Sequence, residues 1–330
     1  MVSSKDVAKL AGVSQSTVSR VLNNPESVGE AKHEKVIKAM KELNYRPNAI
    51  ARSLVKKQTK SIALISGPIH NPFFAETTTY IVNYSKQRGY NTNVHFEVFG
   101  DNTSVFNDVI EMQVDGIILS SILMDDYIYD DLKNLNIPFV MFNRKHNEPG
   151  NFFEMDNLLA GQQATEHLLD LNHKDIVWIG GPLNMSTFYG RYEGFRKTME
   201  EQGLPVSDHN TKITDTSENE IHNVVRDLLA ERNRPTAIFA ATDSIAIYVL
   251  DYLLEKGYNV PEDISVIGID NTKLSQHHSI ELTTVGMDQG INLGQVAIEQ
   301  LINDIESKNQ HLTQKTYPTK LYNRSTTRAI

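Results

Sequence analysis

Gln15, Ser16, Ser19 and Arg20 stand at the spacing that places them on one face of a helix. Gln and Arg can each meet a base edge with two hydrogen bonds, and Ser hydroxyls can bond to phosphate oxygens. The opposite face carries Val18, Val21 and Leu22, so the helix has a side to bury and a side to present. A polar face taken alone is usually just solvated. This one combines hydroxyls, an amide and a guanidinium with no Asp or Glu to repel a phosphate.

The flanking residues supply the means of holding that face. Ser14 is a ready N-cap for the helix. Upstream, Val7, Ala8, Leu10 and Ala11 recur at the spacing of one apolar helical face, Ser3 and Asp6 form a variant capping box, and Gly12 supplies a left-handed turn. Two short helices joined by a tight turn containing Gly predict a helix-turn-helix. Asn23-Asn24-Pro25 ends the second helix.

A second set of polar and aromatic residues follows apolar runs further on. Buried strands are predicted at Ile62–Ser66, Asn93–Phe96, Gly116–Ser120, Phe139–Phe142, Ile176–Ile179, Ala237–Ala240 and Val266–Ile269. Helices are predicted between them, over Phe74–Arg88, Val105–Met112, Asp125–Asn134, Asn157–Leu171, Arg191–Gln202, Glu218–Glu231 and Ser244–Lys256. Such alternation implies parallel sheets covered on both faces, and the number of strands implies two lobes. Ligands of such sheets sit beyond the carboxyl ends of the strands. There lie Phe73 and Phe74, Asn143 and Arg144, Arg191, Asp243, and Asp270 with Asn271. A carboxylate, a guanidinium and an aromatic face together suit a sugar.

The 330 residues have a net charge of −9, but the charge is divided. Residues 1–60 hold 12 Lys and Arg against 5 Asp and Glu, whereas the remainder holds 20 against 36. A positive module on a negative body can meet DNA through the module alone, with steep salt dependence. There is no cysteine, no apolar leader and no run of about 18 apolar residues, so a soluble cytoplasmic protein without a membrane partner is expected.

The first sixty residues resemble the headpiece of the LacI/GalR family of bacterial transcription regulators. The likeness runs from Asp6 to Asn23, through a third helix over Glu30–Leu43, into Asn44-Tyr45-Arg46-Pro47-Asn48-Ala49-Ile50-Ala51-Arg52-Ser53-Leu54. Gly29, Lys32 and His33 stand where Ser, Thr and Arg are usual. The resemblance implies that Ser14, Gln15, Ser16, Thr17, Ser19, Arg20 and Asn23 face DNA, with Tyr45 and Asn48 on its backbone. It places Ala51 and Leu54 of a hinge helix, about 48–56, in the minor groove, Leu54 as an apolar wedge.

The likeness continues through the body, in Asn71-Pro72-Phe73-Phe74, Val114-Asp115-Gly116-Ile117-Ile118-Leu119, Arg191-Tyr192-Glu193-Gly194-Phe195, Asp263-Ile264-Ser265-Val266-Ile267-Gly268 and Arg324-Ser325-Thr326-Thr327. It implies an all-α helix-turn-helix headpiece over 1–60 and an α/β bilobed, periplasmic-binding-protein-like body with two parallel sheets over 61–330. Lobe 1 would take about 61–155 and 288–321, lobe 2 about 156–287 and 322–330. Effector binding is implied at Arg191 and Asp270, then Phe73, Phe74 and Asn143. Thr242 replaces a usual Asn, and Thr216 stands where some relatives have an aromatic.

The reading that results is a homodimeric regulator, most simply a repressor. It binds a near-palindromic double-stranded operator and is controlled by a small effector, a sugar or sugar phosphate. The alternatives are a solute-binding protein of the same body, or control by a purine or a protein co-regulator. No cofactor, metal site or catalytic residue is expected. GxGxxG, GxxxxGK[ST] and GxSxG are all absent, and His277-His278, His167 and His173 lack metal-ligand spacing. Asp156, Asp243 and Trp178 read as structural.

Overall fold

The computed structural model describes residues 2–45, 58–98, 103–288, 290–307 and 312–330. The chain divides into two compact units, Met1–Lys60 and Ser61–Ile330.

The first unit holds α1 (Ser4–Ala11), α2 (Gln15–Asn23) and α3 (Glu30–Glu42). Ser3 and Asp6 close the start of α1, where the Ser3 backbone N–H and hydroxyl both donate to Asp6 Oδ2, at 2.8 and 2.7 Å. Gly12 ends α1 at φ 66°, a conformation that costs glycine nothing. Ser14 caps α2 by accepting from the Thr17 N–H at 3.2 Å. Val7, Ala8, Val18, Val21, Val36 and Ala39 make the core. Leu10, expected on the apolar face, is 46% exposed. An eight-residue helix meets its neighbours along a narrow strip, and Val7, Ala8 and the half-buried Ala11 fill it.

The second unit is built on two six-stranded sheets. In the first, β1 (Ser61–Ser66), β2 (Asn91–Phe96), β3 (Gly116–Leu119), β4 (Phe139–Phe142), β5 (Phe152–Met155) and β11 (Gln314–Tyr317) run parallel in the order β2-β1-β3-β4-β5-β11. In the second, β6 (Ile176–Gly180), β7 (Thr211–Ile213), β8 (Ala237–Ala240), β9 (Ser265–Ile269), β10 (Thr284–Met287) and β12 (Thr319–Tyr322) run β7-β6-β8-β9-β10-β12. The first five strands of each share one doubly wound order, which reverses beside the first strand and leaves a crevice there.

Helices α4 (Pro72–Gln87), α5 (Thr103–Glu111), α6 (Ile128–Asn134) and α11 (Leu293–Ser307) cover the first sheet. Helices α7 (Asn157–Asp170), α8 (Ser186–Glu201), α9 (Glu218–Ala230) and α10 (Asp243–Glu255) cover the second. The strand cores are continuous apolar runs such as Ile62–Ile65 and Ala237–Ala240, all fully buried, as sheets covered on both faces require.

Two expectations are corrected. The second sheet is not wholly parallel, because β12 pairs antiparallel with β10. The segment returning to the first lobe ends with β11 at Tyr317 instead of 321. Residues 319–321 belong to the second sheet, held by the β10 ladder and by the Thr319 hydroxyl donating to Gln163 Oε1 at 2.9 Å.

Candidate functional site

In the first unit, α2 turns Val18 and Val21 into the core. Ser14, Gln15, Ser16, Ser19 and Arg20 are left exposed, and Thr17 and Asn23 are half-buried. The exposed set is pre-arranged by local bonds. The Gln15 amide donates to Ser4 Oγ at 3.0 Å, Ser14 Oγ lies 2.7 Å from Ser16 Oγ, and the Asn23 amide donates to Ser19 Oγ at 3.3 Å. No acidic side chain stands in the first turn of α2, so its N-terminal dipole and hydroxyls face outward unopposed. Tyr45 is half-buried against the headpiece core, its N–H donating to the Met40 carbonyl at 2.8 Å. Asn48, Ala51 and Leu54 lie outside the described residues.

In the second unit a cleft opens at the carboxyl ends of both sheets, the place where such sheets receive small ligands. Phe73, Phe74, Asn143, Arg191 and Asp270 all line it. Phe73 and Phe74 come from the first turn of α4, with ring centroids 5.2 Å apart and edge-on. Phe188 of α8 reaches the cleft from the other lobe. Each lobe makes room for its ring with a glycine after its first strand. A Cβ on Gly67 would come within 2.3 Å of the Phe74 ring, and one on Gly181 within 2.4 Å of the Phe188 ring.

Arg191 is 1% exposed, and each of its three guanidinium nitrogens donates a hydrogen bond. It donates through Nε to Asn157 Oδ1 at 3.0 Å, through Nη1 to the Ala241 carbonyl at 2.6 Å, and through Nη2 to Asp270 Oδ1 at 2.8 Å. Loss of water pushes the Asp270 carboxyl up to about 7; Arg191 pulls the other way, and the negative charges of Asp243 and Glu76 add to the rise. Three cleft residues hold backbone conformations that side chains resist: Asn143 at φ 65°, Thr216 at φ 65° and Asp270 at φ 129°. Strain of this kind gathers where geometry serves a ligand.

Glu97 and Arg144 also line the cleft and form a second buried pair. Arg144 follows β4 and is a candidate by position; Glu97 follows β2, the strand expected to be buried over Asn93–Phe96 and found half-buried, and position singles it out no less, yet it is not among the candidates. Asp243 is a structural carboxylate, accepting from Thr284 Oγ1 at 2.5 Å and from the N–H and hydroxyl of Thr272 at 2.8 and 3.1 Å. Asp156 caps α7 through the Leu159 N–H at 2.9 Å, and Trp178 is fully buried core. His173 is buried among Thr236, Ser265 and the Arg328 carbonyl, and His167 lies 2.9 Å from Thr327 Oγ1.

Residues 4–48 match the family described as bacterial regulatory proteins, lacI family, and residues 165–327 match the periplasmic binding protein-like domain. The HTH-type transcriptional repressor PurR of Glaesserella parasuis serovar 5 is 35% identical over 327 residues, covering 96% of this chain and 94% of that protein. A lac repressor dimer bound to operator and the anti-inducer ONPF is 28% identical with a TM-score of 0.83, covering 99% of each chain. A complex of the transcriptional regulator CelR with cellobiose is 26% identical with a TM-score of 0.71, covering 99% of this chain and all of that one. Among the described residues no helix is long and apolar enough to cross a membrane.

Proposed function

Because the chain belongs to the LacI family of bacterial regulatory proteins and is a DNA-binding transcriptional repressor, not an enzyme, we propose that its operator affinity is set by a sugar held in the body cleft. The observation that carries this reading is the convergence of Phe73, Phe74, Asn143, Arg191 and Asp270, drawn from both lobes, on one cleft at the strand ends. Asp270 accepts from sugar hydroxyls, Arg191 orients it, and the phenyl rings cover an apolar sugar face.

The protein acts as a homodimer in the cytoplasm, alongside the DNA it binds. Two headpieces read the half-sites of a near-palindromic operator through Gln15, Arg20 and their neighbours, since one headpiece offers too little surface for a specific complex. Ser14, Ser16, Thr17, Ser19 and Asn23 position the helix on phosphates, with Tyr45 and Asn48 beside them. Ala51 and Leu54 of the hinge enter the minor groove between the headpieces. The effector shifts the two arrangements of the body only by the difference in its affinity for them.

The relatives named PurR and the aromatic lining favour a second reading, in which the ligand is a purine. Thermal melting of the full chain against a panel of sugars, sugar phosphates and purines separates the two. A ligand at a hundred times its dissociation constant adds about 2.7 kcal/mol. A sugar response lost in Arg191→Ala and Asp270→Ala supports the first reading; a purine response lost in the same variants replaces it with the second.

A further inference from the structure

We infer that Glu97 is a specificity residue, which keeps anions out of the cleft and so selects an unphosphorylated, neutral sugar over its phosphate ester. The inference rests on the sugar reading of this cleft and narrows it.

Arg144 is a cation that phosphate could take, and it is already occupied. It donates from Nη1 to Glu97 Oε2 at 2.7 Å and from Nη2 to Glu97 Oε1 at 3.1 Å. The side chains are 6% and 11% exposed, so this is a fork-to-fork pair with little water to weaken it. The two residues follow β4 and β2, which are separated in the sheet by β3 and β1. The pair therefore spans the carboxyl ends of the first lobe, beside the place where the strand order reverses.

With both carboxylates ionised, the two acidic and two guanidinium side chains lining the cleft cancel. Glu97, Arg144, Arg191 and Asp270 are its acidic and strongly basic residues, and each arginine is bound to one of the carboxylates. Among the described residues no further Lys or Arg lines it. A phosphate that took the two terminal nitrogens of either guanidinium would have to draw it away from its partner, which leaves a buried carboxylate next to a dianion. Breaking a buried pair in that way is strongly unfavourable.

Neutral hydroxyls meet no such obstacle. Arg144 occupies only part of the acceptor capacity of Glu97, since a carboxylate has about four lone-pair sites. Arg144 Nε is buried with no hydrogen-bond partner. A hydroxyl can donate to a remaining lone pair of Glu97, so the pair that repels a phosphate can hold an alcohol.

The test uses the full chain and inorganic phosphate as probe, with potassium chloride at matched ionic strength. Thermal melting is followed for the wild type, for Glu97→Gln, and for a Glu97→Leu, Arg144→Met double variant. The double variant sets the response due to salt and to the basic headpiece. The wild type should rise with phosphate no more than the double variant does. Glu97→Gln, which removes the negative charge facing Arg144, should rise about 2–4 °C further. A wild type that rises above the double variant overturns the inference, as does a Glu97→Gln protein that rises no further than it.

A second measurement needs no variant. Titration of the wild type with the neutral sugar from the panel and with its phosphate monoester should show the ester at least about tenfold weaker. Equal or tighter binding of the ester overturns the inference. If neither compound binds, the sugar reading fails, while the phosphate comparison still decides whether Glu97 excludes anions.

Discussion

Gly161 of α7 lies directly on the backbone of Arg191 in α8, so that a Cβ at Gly161 would stand 2.2 Å from the Arg191 carbonyl oxygen. Gly194, one turn further along α8, returns the contact against the Leu158 carbonyl at 2.4 Å. Gly161→Ala should therefore push α8 away from α7. Overpacking costs about 1–3 kcal/mol, which the helix preference of Ala offsets by up to about 1. Urea unfolding should show the net loss, and ligand-dependent melting should weaken because Arg191 moves with its helix. An unchanged urea midpoint would mean that the two helices can part without consequence.

Asp270 should leave a signature in the pH dependence of stability. Its carboxyl is raised to about 7 in the folded protein by burial, against about 3.9 when unfolded. The folded state therefore holds the proton more tightly. Its contribution is largest below about pH 4 and declines as pH rises towards 7. In Asp270→Asn this decline should vanish, so the melting temperature of the wild type should fall steadily relative to that of the variant between pH 4 and 7. Parallel profiles across that range would place the carboxyl's folded value near its ordinary one.

Two headpiece substitutions separate reading from attachment. Gln15→Ala should relax base preference at one operator position, losing about 1–3 kcal/mol of discrimination. Stability should hardly change, because the Gln15–Ser4 bond is exposed. Arg20→Ala should cost discrimination in the same way if Arg20 meets a base. If it meets a phosphate, binding to all sequences weakens together and the slope of log affinity against log salt falls by about 1. Binding to operator and random DNA at several salt concentrations reads both.

At Asn143 the backbone and the side chain can be tested apart. Asn143→Gly keeps the left-handed conformation at φ 65° and should preserve stability to within about 1 kcal/mol while reducing the ligand response. Asn143→Val forces a branched side chain into that conformation and should cost about 1–2 kcal/mol in addition. Equal stability of the two variants would show that the turn relaxes.

The sequence was most informative where one signal dominated. Fully buried strands announced themselves as apolar runs, and Phe139–Phe142 and Ala237–Ala240 were read to the residue. The first helices carried caps at Ser3 and Ser14 that fixed their starts. Strands β11 and β12 gave no such run: Gln314, Lys315 and Thr316 are exposed, and the strand pairs on one edge only. Helix α11 was legible but unread, since Leu293, Ala297, Leu301 and Ile298, Ile302 recur at four-residue intervals. Phe73, Phe74, Asn143, Arg144, Arg191 and Asp270 are legible as cleft residues because parallel sheets expose their carboxyl ends to ligands. The role of Glu97 is not, because it depends on Arg144, 47 residues later and across two intervening strands.

The three strand-to-lobe crossings, after β5, after β10 and between β11 and β12, also set the kinematics of the body. Only Pro318 separates Tyr317 in one sheet from Thr319 in the other, so those two Cα atoms can never be more than about 7 Å apart. The crossings act as an axle: translation of one sheet past the other is forbidden at that edge, and rotation is the degree of freedom left. A ligand between the lobes therefore works on an angle, and its torque is greatest at the cleft residues farthest from Pro318.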